Sequence, residues 1–276
     1  PPQGSAQRRD RPGPASYPEV GVYHPRLPGR VAERADRLPR PDLPAVGTVG
    51  LLLMRSYLLA GNTAHYDGVI AALEAKGLAV VPAFAAGLDA RPAVERYFQR
   101  DGVTTVDAVV SLTGFSLVGG PAYNDAKAAE QMLAGLDVPY VAGHAVEFQT
   151  LEQWGSSARG LMPVESTIMV AIPELDGATG PIVFGGRTDA AGQACAGCAR
   201  KCRFPAGGGD RNMHVCAERA DMLAARVARM VALRRTPRSE RRLAIVLFNF
   251  PPNAGATGTA AFLSVFASLY NTLGAL

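Results

Sequence analysis

The chain has 276 residues, 48% of them hydrophobic and 19% charged, a globular balance with length for one large domain or two smaller ones. Its 28 Lys and Arg against 24 Asp and Glu leave a net charge of +4, too mild a surplus to argue for nucleic acid. No apolar window of roughly 18 residues suggests a membrane span, no leader pattern opens the chain, and four cysteines between Cys195 and Cys216 suit a reducing compartment better than a disulfide framework.

The chain opens without methionine. Residues 1–18 are rich in Pro, Arg and Gly and read as a linker, as in an internal piece of something longer. From Val49 a regular cycle begins: strand "VGLLLM", turn and cap residues "RSYLLAGNTA", then helix "HYDGVIAALEAKG" ending in Gly77. It repeats as strand "LAVVPAF" and helix "RPAVERYFQR", strand "DAVVSL" and helix "AYNDAKAAEQMLAGL", and strand "VPYVAG". Continuous Val- and Leu-rich runs alternating with helices predict a parallel sheet covered on both faces. The fold class is therefore α/β, Rossmann-like or flavodoxin-like, over residues 19–160.

The rhythm changes at Leu161. "ESTIMVAIPELDG" and "GPIVFGGR" read as a strand hairpin closed by an acidic turn, within 161–189. A Cys-rich loop occupies 190–215. A connecting helix over 216–240, roughly Met213 to Leu233 in its pattern, carries Leu223, Val227, Met230 and Val231 on an apolar stripe. Residues 241–276 read as the start of a second α/β unit: strand "LAIVLFNF", turn "PPNAGATG" and helix "TAAFLSVFASLYNTL". A lone strand–helix pair cannot bury its own apolar faces, which suggests a truncated unit. No internal repeat of fixed period is evident.

In an open parallel sheet, ligands sit outside the carboxyl ends of the strands. The loops there supply Arg55, Ser56, Asn62, Thr63 and His65; then Gly87 and Asp89; then Thr113, Phe115, Gly119, Gly120, Asn124 and Asp125; then His144 and Glu147. Each has a plain alternative: Asn62, Thr63 or Asn124 as a helix cap, Gly119 and Gly120 as a tight turn. Glu174 and Asp176 are two apart, so an extended backbone would aim both the same way. Close carboxylates raise one another's pKa or recruit a cation such as Mg2+, unless they are merely the solvated acids of a turn.

The cysteines Cys195, Cys198, Cys202 and Cys216 follow a Cys-x2-Cys-x3-Cys-x13-Cys pattern, with His214 two before the last. Such spacing can hold Zn2+ or an iron–sulfur cluster, or belong to a surface loop with incidental thiols. Arg200, Lys201 and Arg203 nearby would favour thiolate. "FPPNAGATGTA" lacks the Gly-Lys-Ser/Thr core of a phosphate loop and reads as a strand-to-helix turn. Seven arginines between Arg226 and Arg242 read as a solvated helix end favoured by the macrodipole, or as a docking surface for an acidic partner.

Together "YPEVGVYHP", "MRSYLLAGNTAHYDGVIAALEAKGLAVVPAFAAGLD", "DAVVSLTGFSLVGGPA", "VPYVAGHAVEFQTLEQW", "VAIPELDGATGPIVFGGR" and "AIVLFNFPPNAGATGTAAFLSVFASLYNTL" resemble the magnesium chelatase family, in its large porphyrin-binding component. The cobaltochelatase large subunit shares the Pro-Glu-x-Asp-Gly turn more distantly. The cysteine loop and "TAHYDG" are closest to the bacteriochlorophyll branch in purple bacteria. The resemblance runs from Tyr17 onward and implies an internal fragment of a longer protein, cytoplasmic or peripheral to the photosynthetic membrane. That protein would hold protoporphyrin IX while Mg2+ enters it and AAA+ ATPase partners hydrolyse ATP, in (bacterio)chlorophyll biosynthesis.

On this resemblance Glu174 is the metal-guiding ligand or base and Asp176 orients it, with Glu165 and Glu147 as lesser candidates. His65 or His144 would be an axial ligand or proton relay, unless each is a hydrogen-bonded structural histidine. Phe115 and Tyr123 would flank the macrocycle beside Asn124 and Asp125, and Arg55 and Arg187 would pair with its propionates. Alternatives are a tetrapyrrole carrier or sensor that inserts no metal, and a cobaltochelatase-type protein inserting cobalt in cobalamin synthesis. The fragment alone is expected to be inactive.

Overall fold

The computed structural model describes residues 16–41, 44–188, 194–204, 212–249, 258 and 264–276. Most of the expected linker, parts of the Cys-rich loop and all but Gly258 of the turn at 251–258 lie outside the described residues. The chain divides into a compact unit reaching Arg235 and a second, Thr236–Leu276.

The first unit is built on one mixed sheet. In chain order its elements are β1 (Val20–Tyr23), β2 (Val31–Ala32), β3 (Gly47–Met54), α1 (Arg55–Leu59), α2 (Ala64–Glu74), β4 (Leu78–Ala85) and α3 (Arg91–Tyr97). A small ribbon follows, β5 (Gln99–Arg100) and β6 (Val103–Thr104), then β7 (Ala108–Ser111), α4 (Ala126–Leu136), β8 (Tyr140–Thr150) and α5 (Leu151–Ser156). A helical run α6 (Pro163–Glu165), a π-turn segment Ser166–Ala171 and α7 (Ile172–Leu175) leads into β9 (Thr179–Arg187), β10 (Met213–Val215) and α8 (Ala217–Arg235). In the second unit α9 spans Val265–Ala275.

The strand order is β10-β9-β8-β7-β3-β4-β1-β2. The five central strands, β9 to β4 in that order, run parallel, and the flanking strands, β10 on one side and β1 and β2 on the other, pair antiparallel. Ranked by chain position, the parallel strands lie 2-1-3-4-5, the flavodoxin-like arrangement. The register from Gly47↔Leu78 to Met54↔Ala85 aligns β3 and β4 over their full lengths, so their carboxyl ends finish level.

Both faces of the sheet are covered, which is why its strands need apolar residues at every position. Val49, Leu51 and Leu53 turn to one face and join Val69, Ile70 and Leu73 of α2 with Leu223, Val227 and Val231 of α8. Leu52 and Val109 turn to the other and meet Val94 and Phe98 with Leu133 and Leu136 of α4. Each fully buried aliphatic or Phe side chain contributes about 1.5–3 kcal/mol relative to exposure. Gly50 makes room on that second face: a Cβ there would lie 2.6 Å from the Phe98 ring.

Three expectations change. The run "ESTIMVAIPEL" is helical instead of the first arm of a hairpin. Its buried positions, Glu165, Met169, Pro173 and Asp176, recur at helical spacing, and Pro163 opens the run, where a missing N–H costs nothing. The β-branched Thr167, Ile168 and Val170 favour strand only weakly against that packing. Met213–Val215 is a strand paired with Gly185–Arg187, so the long helix starts at Ala217. Residues Leu243–Phe248, expected as a strand, are irregular and exposed. An apolar run becomes a central parallel strand only where neighbours take up its backbone groups. Among the described residues no helix is long and apolar enough to cross a membrane.

Candidate functional site

Strands β3 and β7 are neighbours whose connections leave in opposite directions, β3 toward β4 and β7 toward β8. The crevice outside their carboxyl ends is where such sheets bind ligands. A small cleft of about 20 Å³ opens there, lined among others by Met54, Leu88, Asp89, Thr113, Phe115 and Gly119. That is far below the range for ligand pockets and room for about one water molecule, so a flat macrocycle would meet only its rim.

The third loop shapes the cleft and is held from beneath. The Asp176 carboxylate, 3% exposed, accepts from the Leu117 N–H at 2.7 Å and the Ser116 hydroxyl at 2.9 Å. Burial raises its pKa from the ordinary carboxylate value, and the two hydrogen bonds partly oppose that rise. Gly119 has φ +115°, and a Cβ on it would lie 2.3 Å from the Tyr123 carbonyl oxygen. Only glycine fits this close turn. On the cleft's other side Asp89 accepts from the Arg91 guanidinium at 2.6 and 3.0 Å, which holds its carboxyl below the usual range.

Glu174 and Asp176 part company. At the end of a helix, residues two apart diverge by about 200° around the axis, so Asp176 is buried while Glu174 is exposed. Glu174 is not among the residues lining the cleft, and the shared direction expected of an extended turn does not arise. Glu165 is fully buried: its carboxylate accepts from the Phe148 and Met162 N–H groups, both at 3.2 Å, and from the Gln149 side chain. It tethers the helical run to the end of β8.

Phe115 lines the cleft, whereas Tyr123 is 73% exposed. Asp125, rather than Asn124, caps α4 by accepting from the Ala128 N–H at 3.0 Å. Asn124 instead bridges to Gly119 across the loop. Thr63 occupies the position before α2 without a capping side-chain bond, and the Asn62 side chain accepts from the Met213 N–H at 2.9 Å. Arg55 donates to the Pro18 and Tyr17 carbonyls at 2.9 and 3.1 Å, fixing the segment ahead of β1.

A second polar group lies on the sheet face covered by α2. Glu147 accepts from the Tyr57 hydroxyl, a partner the sequence did not single out, although Tyr57 lies in α1, which directly follows β3. His65 packs among Tyr57, Tyr66 and Phe184, and the buried Nε of Arg187 has no hydrogen-bond partner among the described residues. Burial lowers the pKa of His65 to about 3 and of His144 to about 4. Both are 1% exposed. Among the described residues neither nitrogen of His144 has a partner, nor does Nδ1 of His65, so both rings are neutral and shielded from a ligand in the cleft.

Two arginines of the basic run are not simply solvated. Arg235 makes a two-pronged pair with Asp107, both contacts at 2.9 Å, and Arg226 donates to the Gly180 carbonyl. The four cysteines gather at the β9–β10 edge, packed with Val146, Leu151, Trp154, Val183 and Phe204.

Residues 4–276 match the family model described as CobN/Magnesium Chelatase. Among curated proteins the chain is similar to the magnesium-chelatase H subunits of Cereibacter sphaeroides, 57% identical over 264 residues, and of Rhodobacter capsulatus, 54% over 263; each alignment covers 95% of this chain and 22% of the relative. The CobN subunit of the aerobic cobaltochelatase of Pseudomonas aeruginosa is 30% identical over 272 residues, 95% of this chain and 20% of that one. The chain thus spans about a fifth of the length of these relatives. The solved catalytic subunit of cobaltochelatase from Mycobacterium tuberculosis shares the fold, with TM-score 0.67 at 24% identity over 95% of this chain and 19% of that chain.

Proposed function

The chain belongs to the CobN/magnesium chelatase family, and from that membership we propose that it is a segment of the porphyrin-binding subunit of an ATP-dependent magnesium chelatase. The whole protein would insert Mg2+ into protoporphyrin IX in (bacterio)chlorophyll biosynthesis, in the cytoplasm, with AAA+ partners hydrolysing the ATP. The observation that carries this reading is the much higher identity to the magnesium-chelatase relatives than to the cobaltochelatase one, kept over nearly the whole chain.

Within this segment the rim of the cleft at the carboxyl ends of β3, β4 and β7 meets an edge of the macrocycle. Leu88 and Phe115 offer it apolar contact. Asp176 acts as a positioning residue, because its carboxylate holds the backbone of the loop that carries Phe115. Glu174, exposed at the end of α7, is free to meet an incoming hydrated cation. Mg2+ sheds water reluctantly and keeps few carboxylate ligands, and the macrocycle must lose two pyrrole protons, so one accessible carboxylate can serve as transient ligand and as base. Arg187 is the stronger candidate for a propionate, since Arg55 would first have to release two backbone carbonyls.

The test is Glu174→Gln in the full-length protein, assayed with its ATPase partners. Soret titration should give unchanged protoporphyrin affinity, and Mg2+ insertion should fall at least ~100-fold, the usual scale for loss of an acid–base group. Full insertion by the variant would remove Glu174 from the mechanism. Protoporphyrin binding without Mg2+ insertion by the unaltered protein would favour the carrier or sensor reading, and preferential Co2+ insertion the cobaltochelatase one.

A further inference from the structure

The Sγ atoms of Cys195, Cys198 and Cys216 all lie within 4.8 Å of one another, and all three residues are buried. Cys195 Sγ and Cys216 Sγ are 4.0 Å apart. Cys202, half-buried next to Cys198, has its Sγ farther than 4.8 Å from at least one of these three sulfurs; its N–H donates to Cys198 Sγ at 3.4 Å, and its carbonyl accepts from the Cys195 N–H at 2.6 Å. The thiols come from two separate places, the β9–β10 connection and the residue just before α8. The Cys216 N–H is itself tied to the Phe184 carbonyl of β9 at 2.9 Å.

Hydrogen bonding explains little of this convergence, because thiols are weak donors and acceptors. A disulfide would join only two of the sulfurs and leave the others packed against it. A tetrahedral ion with metal–sulfur bonds of about 2.3 Å sets its thiolates about 3.8 Å apart, close to the 4.0 Å between Cys195 and Cys216. An iron–sulfur cluster interposes several irons and sulfides between its cysteines and needs a wider cage. Arg200 and Lys201 lie between Cys198 and Cys202 in the chain, though the Arg200 guanidinium already pairs with Asp221 at 3.1 Å.

We propose that Cys195, Cys198 and Cys216, joined by Cys202 through rotation of its half-buried side chain, bind one Zn2+ ion in a tetrahedral, closed site that fastens the β9–β10 connection to the start of α8. Loading deprotonates the four thiols and releases their protons to solvent, with no change of oxidation state. All four positions are taken by protein, so the site is structural and does not bind substrate. It is independent of the porphyrin reading: either can fail without the other.

The test uses the full-length protein purified anaerobically without a metal-affinity step. Elemental analysis should find one more equivalent of zinc than in Cys195→Ser or Cys202→Ser, the latter being the milder change because Cys202 is only half-buried. Exchange with Co2+ should give the intense visible ligand-field bands of a tetrahedral thiolate site. In the unaltered protein these thiols should resist a thiol reagent until a strong chelator is added, a readout that needs no variant to fold. Equal zinc in wild type and variants, thiols that react freely without chelator, a disulfide by mass spectrometry under reducing purification, or stoichiometric iron with acid-labile sulfide would each overturn the proposal.

Discussion

The Asp176 carboxylate is buried yet satisfied, holding the Ser116 hydroxyl and the Leu117 N–H. Asp176→Ala strands both donors, and leaving buried groups unpaired costs about 1–3 kcal/mol; urea unfolding should show a loss of that size, with weaker protoporphyrin binding if the loop shapes the cleft. His144 presents the converse case, since both its nitrogens are buried without partners among the described residues. Its pKa is lowered to about 4 from 6.5, so the unfolded chain takes up the proton first. Its contribution to stability is therefore complete above 6.5 and is lost as pH falls toward 4, with a slope of up to about 1.4 kcal/mol per pH unit. Asp176, with a raised pKa, works in the opposite direction: its contribution is present below the unfolded value and lost as pH rises through the folded one. His144→Leu should leave the melting temperature at about pH 7.5 unchanged or higher and shrink its drop at about pH 5; an undiminished drop would show that other groups govern acid sensitivity.

At the scale of elements, the third loop is a tight backbone construction stretched between β7 and α4. Its shape needs φ +115° at Gly119 and the Asp125 cap on Ala128. Gly119→Ala forces the new methyl group against the Tyr123 carbonyl in a region of φ closed to alanine, and about 1–3 kcal/mol of stability should be lost. If the porphyrin edge meets the rim of the cleft, Soret titration of the variant should also show weakened binding; unchanged affinity would move the substrate elsewhere. The helical run from Pro163 to Leu175 decides where the two acids go. Read as a strand, "IPELD" would send Glu174 and Asp176 the same way; as a helix end it places one in solvent and the other beneath the loop. The spacing of Glu165, Met169, Pro173 and Asp176 carries the helical signal, but the β-branched residues between them mask it.

At the scale of the molecule, every buried apolar cluster among the described residues is completed by Val231, while Val246, Phe248, Phe266 and Tyr270 of the second unit are more than half exposed. A chain ending at Arg235 should therefore unfold cooperatively with a midpoint close to that of the whole chain, as circular dichroism in urea would record; a broad, non-cooperative transition would mean that the second unit completes the fold. The alternation of apolar runs with helices was enough to determine a largely parallel α/β sheet and the edge where its strand-end loops gather, because period and strand burial are local properties of the chain. The wording of several long motifs determined the family. The carboxylate partners, the shielding of both histidines, the strand before α8 and the meeting of the cysteines were decided by the tertiary structure alone. Each depends on atoms distant in sequence, such as Asp176 with Leu117 or Cys195 with Cys216, and no pattern within a short window records which distant groups the folded backbone will bring within a few ångströms.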